Sequence, residues 1–147
     1  MDRTTVIAVI GCIITVASLW LVWATTSFGG DLTMWDLRER YFYDMDSFVA
    51  VIATSAPFGI MIFTLITVVE GIINAKRPAY YGGHYGLWTI ANGVFMVFFT
   101  VCIFLTVRDI EPIVRGTMIP YIAVIGSAMV LAAGILGIKD ERRVNNE

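Results

Sequence analysis

The chain is poor in the residues on which catalysis and metal chemistry most often rest. Among 147 residues it has one histidine, His84, and two cysteines, Cys12 and Cys102. One histidine cannot supply both axial ligands of a b-type haem, and no metal-binding cluster surrounds it in the sequence. The two cysteines fall at different distances from the inner ends of their apolar runs, so their depths differ by about 13 Å and no disulfide can join them. Without a redox pair, the two-cysteine chemistry of a quinone-linked thiol oxidoreductase is excluded. Charge is scarce too: 15% of residues, a net −2 and no block of one sign, which argues against nucleic-acid binding. No catalytic constellation, cofactor or metal is expected.

Charge is scarcest inside four long apolar runs, residues 5–26, 47–74, 86–107 and about 116–138, where Glu70 is the one charged side chain. Each run reaches the ~20 residues that a helix needs to cross ~30 Å of hydrocarbon. Hydrophobic residues make up 58% of the chain, and mean hydropathy is +0.78. A soluble domain of this size could not bury so much apolar surface, so the bilayer must act as solvent. The expected fold is an all-α integral membrane protein, one four-helix bundle over residues 1–147. An outer loop (27–46), an inner loop (75–85) and a tail (139–147) complete it. The first run is read as a retained helix, because its apolar character continues past Cys12 through Trp20 and Trp23, beyond the ~7 to 15 residues of a signal core.

Even crossing number puts both termini on one side. That side, with the inner loop, holds Arg3, Lys76, Arg77, Lys139, Arg142 and Arg143, against Arg38, Arg40, Arg108 and Arg115 opposite. The excess places both termini in the cytoplasm and the chain in the cell membrane. Acids gather outside, at Asp31, Asp36, Glu39, Asp44, Asp46, Asp109 and Glu111. Trp20, Trp23, Tyr121 and Trp88 suit aromatic belts at the two interfaces.

Pro57 and Pro120, Gly71 and Gly134, Ile72 and Ile135, and Lys76 and Lys139 all recur at one spacing of 63 residues. A duplicated helical hairpin and chance similarity between parallel apolar helices are equally open readings. If the lysines mark the inner boundary, the prolines lie ~28 Å away, near the outer one. The second and fourth helices are then expected to project outward over residues 48–56 and 112–119, the fourth span covering 112–138. Asp46 or Ser47 would cap the second helix, and Pro112 would open the fourth after Glu111. Thr54 and Ser55 would help to satisfy the carbonyl that Pro57 frees. Residues 48–54 are read as helix, because an unpaired strand there would orphan its backbone donors.

The outer loop is the expected contact surface, carried by Asp31, Trp35, Asp36, Glu39, Tyr41, Phe42 and Tyr43. Gly29 and Gly30 offer a flexible exit and Asp31 a helix cap. Leu32, Trp35 and Phe42, beside Met34, Leu37, Tyr41 and Met45, form apolar stripes that would lie on the bilayer or on a partner. The five acids lack the spacing and central glycine of a calcium loop.

Glu70 is the sharpest residue in lipid, where a carboxylate costs about 2.5 to 3.5 kcal/mol at mid-depth. It lies ~9 Å along the axis from Lys76, close enough to pair with Lys76 or Arg77. With Thr67 and Asn74 it shares a face, and Thr89 and Asn92 of the third run stand at similar depth. These five residues predict a hydrogen-bonded clasp, with a proton or ion site as the alternative. Small residues mark packing stripes: Ala8, Gly11, Thr15 and Ser18 in the first run, and Thr89, Gly93, Met96 and Thr100 in the third. The fourth carries the pairs Ala123/Ser127, Ala128/Ala132 and Ala133/Gly137. Phe95, Phe98, Phe99 and Phe104 are expected to face lipid or a neighbouring subunit, and His84 a headgroup or a cytoplasmic partner.

No family is assigned. The Arg, Asn and Glu constellation of glutathione-using eicosanoid enzymes is absent, as is the first-helix carboxylate of small multidrug transporters. Crossing number and inward termini resemble those of claudin-like and MARVEL-type tetraspan proteins. The claudin outer-loop tryptophan and cysteine motif is missing, so the likeness is one of topology and implies no function. Two functions remain open: a non-enzymatic subunit or scaffold of a membrane assembly, and a small homo-oligomeric transporter or channel built on Glu70, Asn74 and Asn92. The expected partners are the bilayer and other membrane subunits or further copies of the chain.

Overall fold

The computed structural model describes residues 2–26, 29–110 and 114–146. The chain is mostly helical, with a small sheet at one end, in the order α1 (Arg3–Ser18), β1 (Val22–Thr26), β2 (Asp31–Thr33), α2 (Met34–Arg40), α3 (Phe48–Lys76), α4 (Tyr85–Asp109), β3 (Val114–Gly116) and α5 (Ile119–Asn145). Three helices, α3, α4 and α5, are long and apolar enough to cross a membrane. α1 is apolar but has only 16 residues, about 24 Å at the helical rise and short of a ~30 Å hydrocarbon core. The expected plain span over residues 5–26, and with it the all-α reading, is therefore corrected.

The break has a local cause. Asp2 caps α1 by accepting from the Thr5 amide at 2.8 Å. Near the other end the Thr15 and Ser18 hydroxyls turn back onto the carbonyls of Gly11 and Thr15, a pattern that strains and bends helices. The Ser18 carbonyl then accepts from the Leu21 amide in a tight turn and from the Trp23 indole, which ends the helical ladder. The next residues, Val22, Trp23, Ala24, Thr25 and Thr26, are mostly β-branched or aromatic and suit a pleated strand. Trp23 is wholly buried, so it is a core residue and not the interface anchor its position suggested.

β1 is the middle strand of a sheet ordered β2-β1-β3, antiparallel to both neighbours. On one side Thr25 faces Asp31 and Ala24 faces Leu32, with a bulge between Val22 and Ala24. On the other, Ala24, Thr25 and Thr26 face Gly116, Arg115 and Val114. The strand that follows α1 is thus stitched to the connection before α5. Thr117 completes the seam: its amide donates to the Trp23 carbonyl at 3.0 Å and its hydroxyl to the Val22 carbonyl at 2.6 Å.

In the bundle α5 packs between α1 and α4, and α4 packs against α3; α1 and α3 meet more sparsely. Small residues permit the close approaches. A Cβ on Gly11 would lie 2.5 Å from the Gly126 carbonyl oxygen, one on Gly93 would press on the Leu131 backbone, and one on Gly86 on Gly137 and Ile138. The stripes expected in α1 and α4 are buried, as are Ala123, Ser127, Ala133 and Gly137 of α5. Ala128 and Ala132 instead face outward. The phenylalanines divide: Phe99 sits over Gly59, while Phe95, which stacks on Phe63 at 4.8 Å, and Phe98 are both exposed.

The second helix extends as expected. α3 starts at Phe48 with the Ser47 hydroxyl accepting from the Ala50 amide at 3.0 Å, and its 29 residues exceed a bilayer crossing. The fourth lacks the extension expected over residues 112–119. Strand β3 occupies residues 114–116, Pro120 lies in the first turn of α5, and the helix continues to Asn145 in place of a tail from residue 139. Pro57 is inside its helix, so the two prolines hold different positions. Glu111 and Pro112 lie outside the described residues.

Because Gly11 meets backbone, its neighbour cannot rotate away. Gly11→Ala is expected to lower stability by about 1 to 3 kcal/mol, read as an earlier thermal transition in detergent, whereas Ala128→Leu on the outward face should leave the transition in place.

Candidate functional site

Two regions concentrate the polar side chains. The first is the end of the bundle where α1 begins, α3 ends, α4 begins and α5 ends. Arg3 and Asp140 form an ion pair in which Nη2 donates to both carboxylate oxygens, at 3.0 and 3.1 Å, which brings the first and last helices to this same end. Asn92 donates to Glu70 Oε2 at 2.8 Å, linking α4 to α3. Among the described residues Glu70 forms no ion pair with Lys76 or Arg77. The other expected members of the clasp go elsewhere. Thr67 and Thr89 turn back onto the carbonyls of Phe63 and Tyr85 in their own helices. Asn74 donates to Asp2 at 3.3 Å, tying the end of α3 to the start of α1.

A second link, which the sequence reading missed, joins α1 to α4: the Thr5 and Tyr85 hydroxyls lie 3.0 Å apart, both buried. Deeper in the bundle the Thr100 and Ser127 hydroxyls meet at 2.9 Å and join α4 to α5. Both had shown only as small members of packing stripes. The start of α4 is held by α5, since the Gly86 amide donates to Glu141 at 2.8 Å. A carboxylate suits the positive end of a helix dipole. Tyr81, in the turn before α4, has its phenol pushed above the ordinary value, first by burial and then by the Glu70 carboxylate and by Tyr80 and Tyr85. His84 is exposed beside this turn. Cys12 and Cys102 are free and buried.

The second region, at the other end of the bundle, is a cap made of the sheet, α2 and the 3-10 turn Phe42–Asp44. Asp31 is an exposed strand residue and not the helix cap. Thr33 caps α2 in a reciprocal box with Asp36, whose side chain accepts from the Thr33 amide at 3.0 Å while its amide donates to the Thr33 hydroxyl. Leu32, Met34, Leu37 and Phe42 are buried, and Trp35, Tyr41 and Met45 pack against the same core. The apolar stripes of the loop therefore close over the chain's own bundle, which corrects the expectation that they lie on a bilayer or partner. Among the residues expected to make contact, Asp31, Glu39 and Tyr43 remain exposed, Trp35, Asp36 and Tyr41 are partly covered, and Phe42 is buried.

Arg38 fastens this cap to α3. Its Nε donates to the Thr54 carbonyl at 2.6 Å, next in the chain to the Ala53 carbonyl that Pro57 leaves without its helical donor. Its guanidinium lies over the rings of Tyr43 and Phe58 at 4.9 and 4.8 Å. The Thr54 and Ser55 hydroxyls serve the Ala50 and Ile52 carbonyls and not the Ala53 carbonyl that Pro57 frees, which corrects the role expected of them. Nothing in the spacing of Arg38 pointed to its bond with Thr54. Trp35 fills the space between Trp20 and Phe58, with ring centroids 5.7 and 5.5 Å away.

The chain matches no family model, no curated protein and no solved structure. The chemistry of the two regions is one of hydrogen bonding between elements.

Glutamine can accept from Asn92 as glutamate does, whereas leucine leaves that amide unpaired. Glu70→Gln is expected to retain detergent stability, and Glu70→Leu to lose about 0.6 to 2 kcal/mol; equal melting of all three forms would remove the clasp.

Proposed function

We propose that the chain is a non-enzymatic multi-pass membrane protein that serves as a subunit or scaffold of a larger membrane assembly. In this reading the bundle crosses four times, with α1 and the apolar turn of residues 19–21 making one crossing together. Trp20 and Leu21 in that turn are exposed, as a lipid-facing extension of a short helix requires. Both termini lie at the cytoplasmic end, with Arg3, Lys76, Arg77, Lys139, Arg142 and Arg143, and the cap stands on the outer side of the cell membrane.

The observation that carries the reading is how the cap is built. Its apolar residues are spent on the chain's own core, and Arg38, Thr117 and the β1–β3 pairing hold it to two helices. What it turns outward is Asp31, Glu39, Tyr43, Asp44 and Asp46, a rigid acidic and aromatic face suited to a partner. Long exposed apolar faces on α3 and α4 leave room for lateral neighbours.

One observation favours a homo-oligomeric transporter or channel instead. Glu70 is only partly buried, and an intramembrane carboxylate with spare acceptor capacity can take part in an ion or proton path. The thinness of polar side chains at mid-depth weighs against it, since substrate pathways usually leave several there.

Gentle detergent extraction followed by native mass measurement separates the two. Co-purification of different chains at fixed stoichiometry is the expected result. A pure symmetric oligomer, joined by loss of a measured flux in Glu70→Gln, would establish the transporter reading instead.

A further inference from the structure

We propose that the groove between α1 and α3, at the end where α1 begins, holds an acyl chain of an anionic phospholipid whose phosphate rests on Lys76 and Arg77. These two helices meet sparsely. They come close at Gly71, where a Cβ would lie 2.8 Å from the Thr5 methyl. Beside that contact Thr5 and Val9 of α1 face Val68, Ile72 and Ala75 of α3 across an open hollow of about 400 Å³, and Lys76 stands at its end. A smaller hollow of about 180 Å³ runs alongside, shares Ile72 and Lys76, and adds Arg77 and Tyr80. An apolar trough thus leads to two cations and a phenol.

The surroundings select the occupant. α3 is long and apolar enough to cross a membrane, and its Val69 and Ile72 are exposed, so the trough opens toward hydrocarbon and its end lies at a headgroup boundary. Lys76 and Arg77 are exposed, and among the described residues neither is ion-paired. Two acids at this end, Asp2 and Glu70, are already engaged: Asp2 accepts from the Thr5 amide and from Asn74, and Glu70 from Asn92. A helix from another subunit could fill the trough but would leave both cations unmatched. A lipid with a negative phosphate satisfies both halves, and basic hollows between helices at a membrane face suit such headgroups. The inference rests on α3, α4 and α5 lying in a bilayer and stands whether or not the chain is a subunit.

The test is native mass measurement of the purified full chain in mild non-ionic detergent, titrated with phosphatidylglycerol or with phosphatidylcholine of the same chain length. The phosphatidylglycerol adduct is expected to persist where phosphatidylcholine is lost. In Lys76→Gln/Arg77→Gln its affinity should fall roughly 25-fold, about fivefold for each cation at an anionic headgroup. Lys139→Gln/Arg142→Gln removes the same charge at the same end but outside the groove and should change little. Val68→Trp, which fills the trough, should also expel the lipid, and the charge variants carry the test if that variant fails to fold. Soluble glycerol phosphate should not compete, because it lacks the chain. Equal retention of the two lipids, equal loss in both charge variants, or displacement by glycerol phosphate would overturn the proposal.

Discussion

The fold depends on where α1 stops. Twenty-two consecutive residues without a charge, 5–26, could have formed one continuous helix. Instead the Trp23 indole takes the Ser18 carbonyl, and the hydroxyls of Thr15 and Ser18 draw on the last carbonyls of the helix. The chain turns, and the residues that would have continued the helix become the middle strand of a sheet. A middle strand needs neighbours on both edges, because its backbone donors and acceptors are costly to bury unpaired. β2 supplies one edge and fixes the register of the segment that leads into α2, and β3 supplies the other and fixes the approach to α5. The shortness of α1, the inward turn of the loop's apolar residues and the late start of α5 all follow from this one diversion.

Inside the bundle most polar side chains of the described residues are absorbed in pairs or by their own helices, the buried Thr64 hydroxyl being an exception. Glu70 meets Asn92, Thr5 meets Tyr85, and Thr100 meets Ser127; Thr67, Thr89 and Thr106 return to carbonyls one turn back. In hydrocarbon such bonds hold helices together modestly, and close backbone packing at glycine contributes alongside them. The closest glycine contacts join α1 to α5 and α5 to α4. α3 leans on α4 through Phe99 and Gly59 and is pinned near its start by Arg38, which leaves its second half only lightly held to α1. The groove there is the place where the packing of this bundle runs out.

How far the sequence could be read follows from the range of each signal. The helical character of α3, α4 and α5 comes from long apolar runs, and the Glu70–Asn92 pair from two polar residues at matching depth, so both could be read locally. The Ser47 cap and the buried stripe of Ala8, Gly11, Thr15 and Ser18 were visible for the same reason. The sheet was not. Residues 22–26 are apolar enough for a helix and branched enough for a strand, and the choice is made by partners about ten and ninety residues away, Leu32 and Gly116. Arg38 escaped because its acceptor is a backbone carbonyl, which carries no mark in the sequence. The stripes in the loop showed correctly that Leu32, Met34, Leu37 and Phe42 would be buried, but periodicity cannot say whether the covering surface is lipid, a partner or the chain itself.

The most direct test of this account is a cross-link across the seam that the break in α1 creates. Thr25 and Arg115 face each other across β1 and β3, and paired antiparallel residues lie within the ~4.4 to 6.8 Å that a disulfide spans. With Cys12 and Cys102 replaced by serine, a Thr25→Cys/Arg115→Cys chain is expected to form an intramolecular disulfide on mild oxidation, seen as a faster-migrating band that reductant reverses. Two free thiols in a folded chain, each still open to labelling after oxidation, would mean that α1 runs on as a helix and that the cap is not built this way.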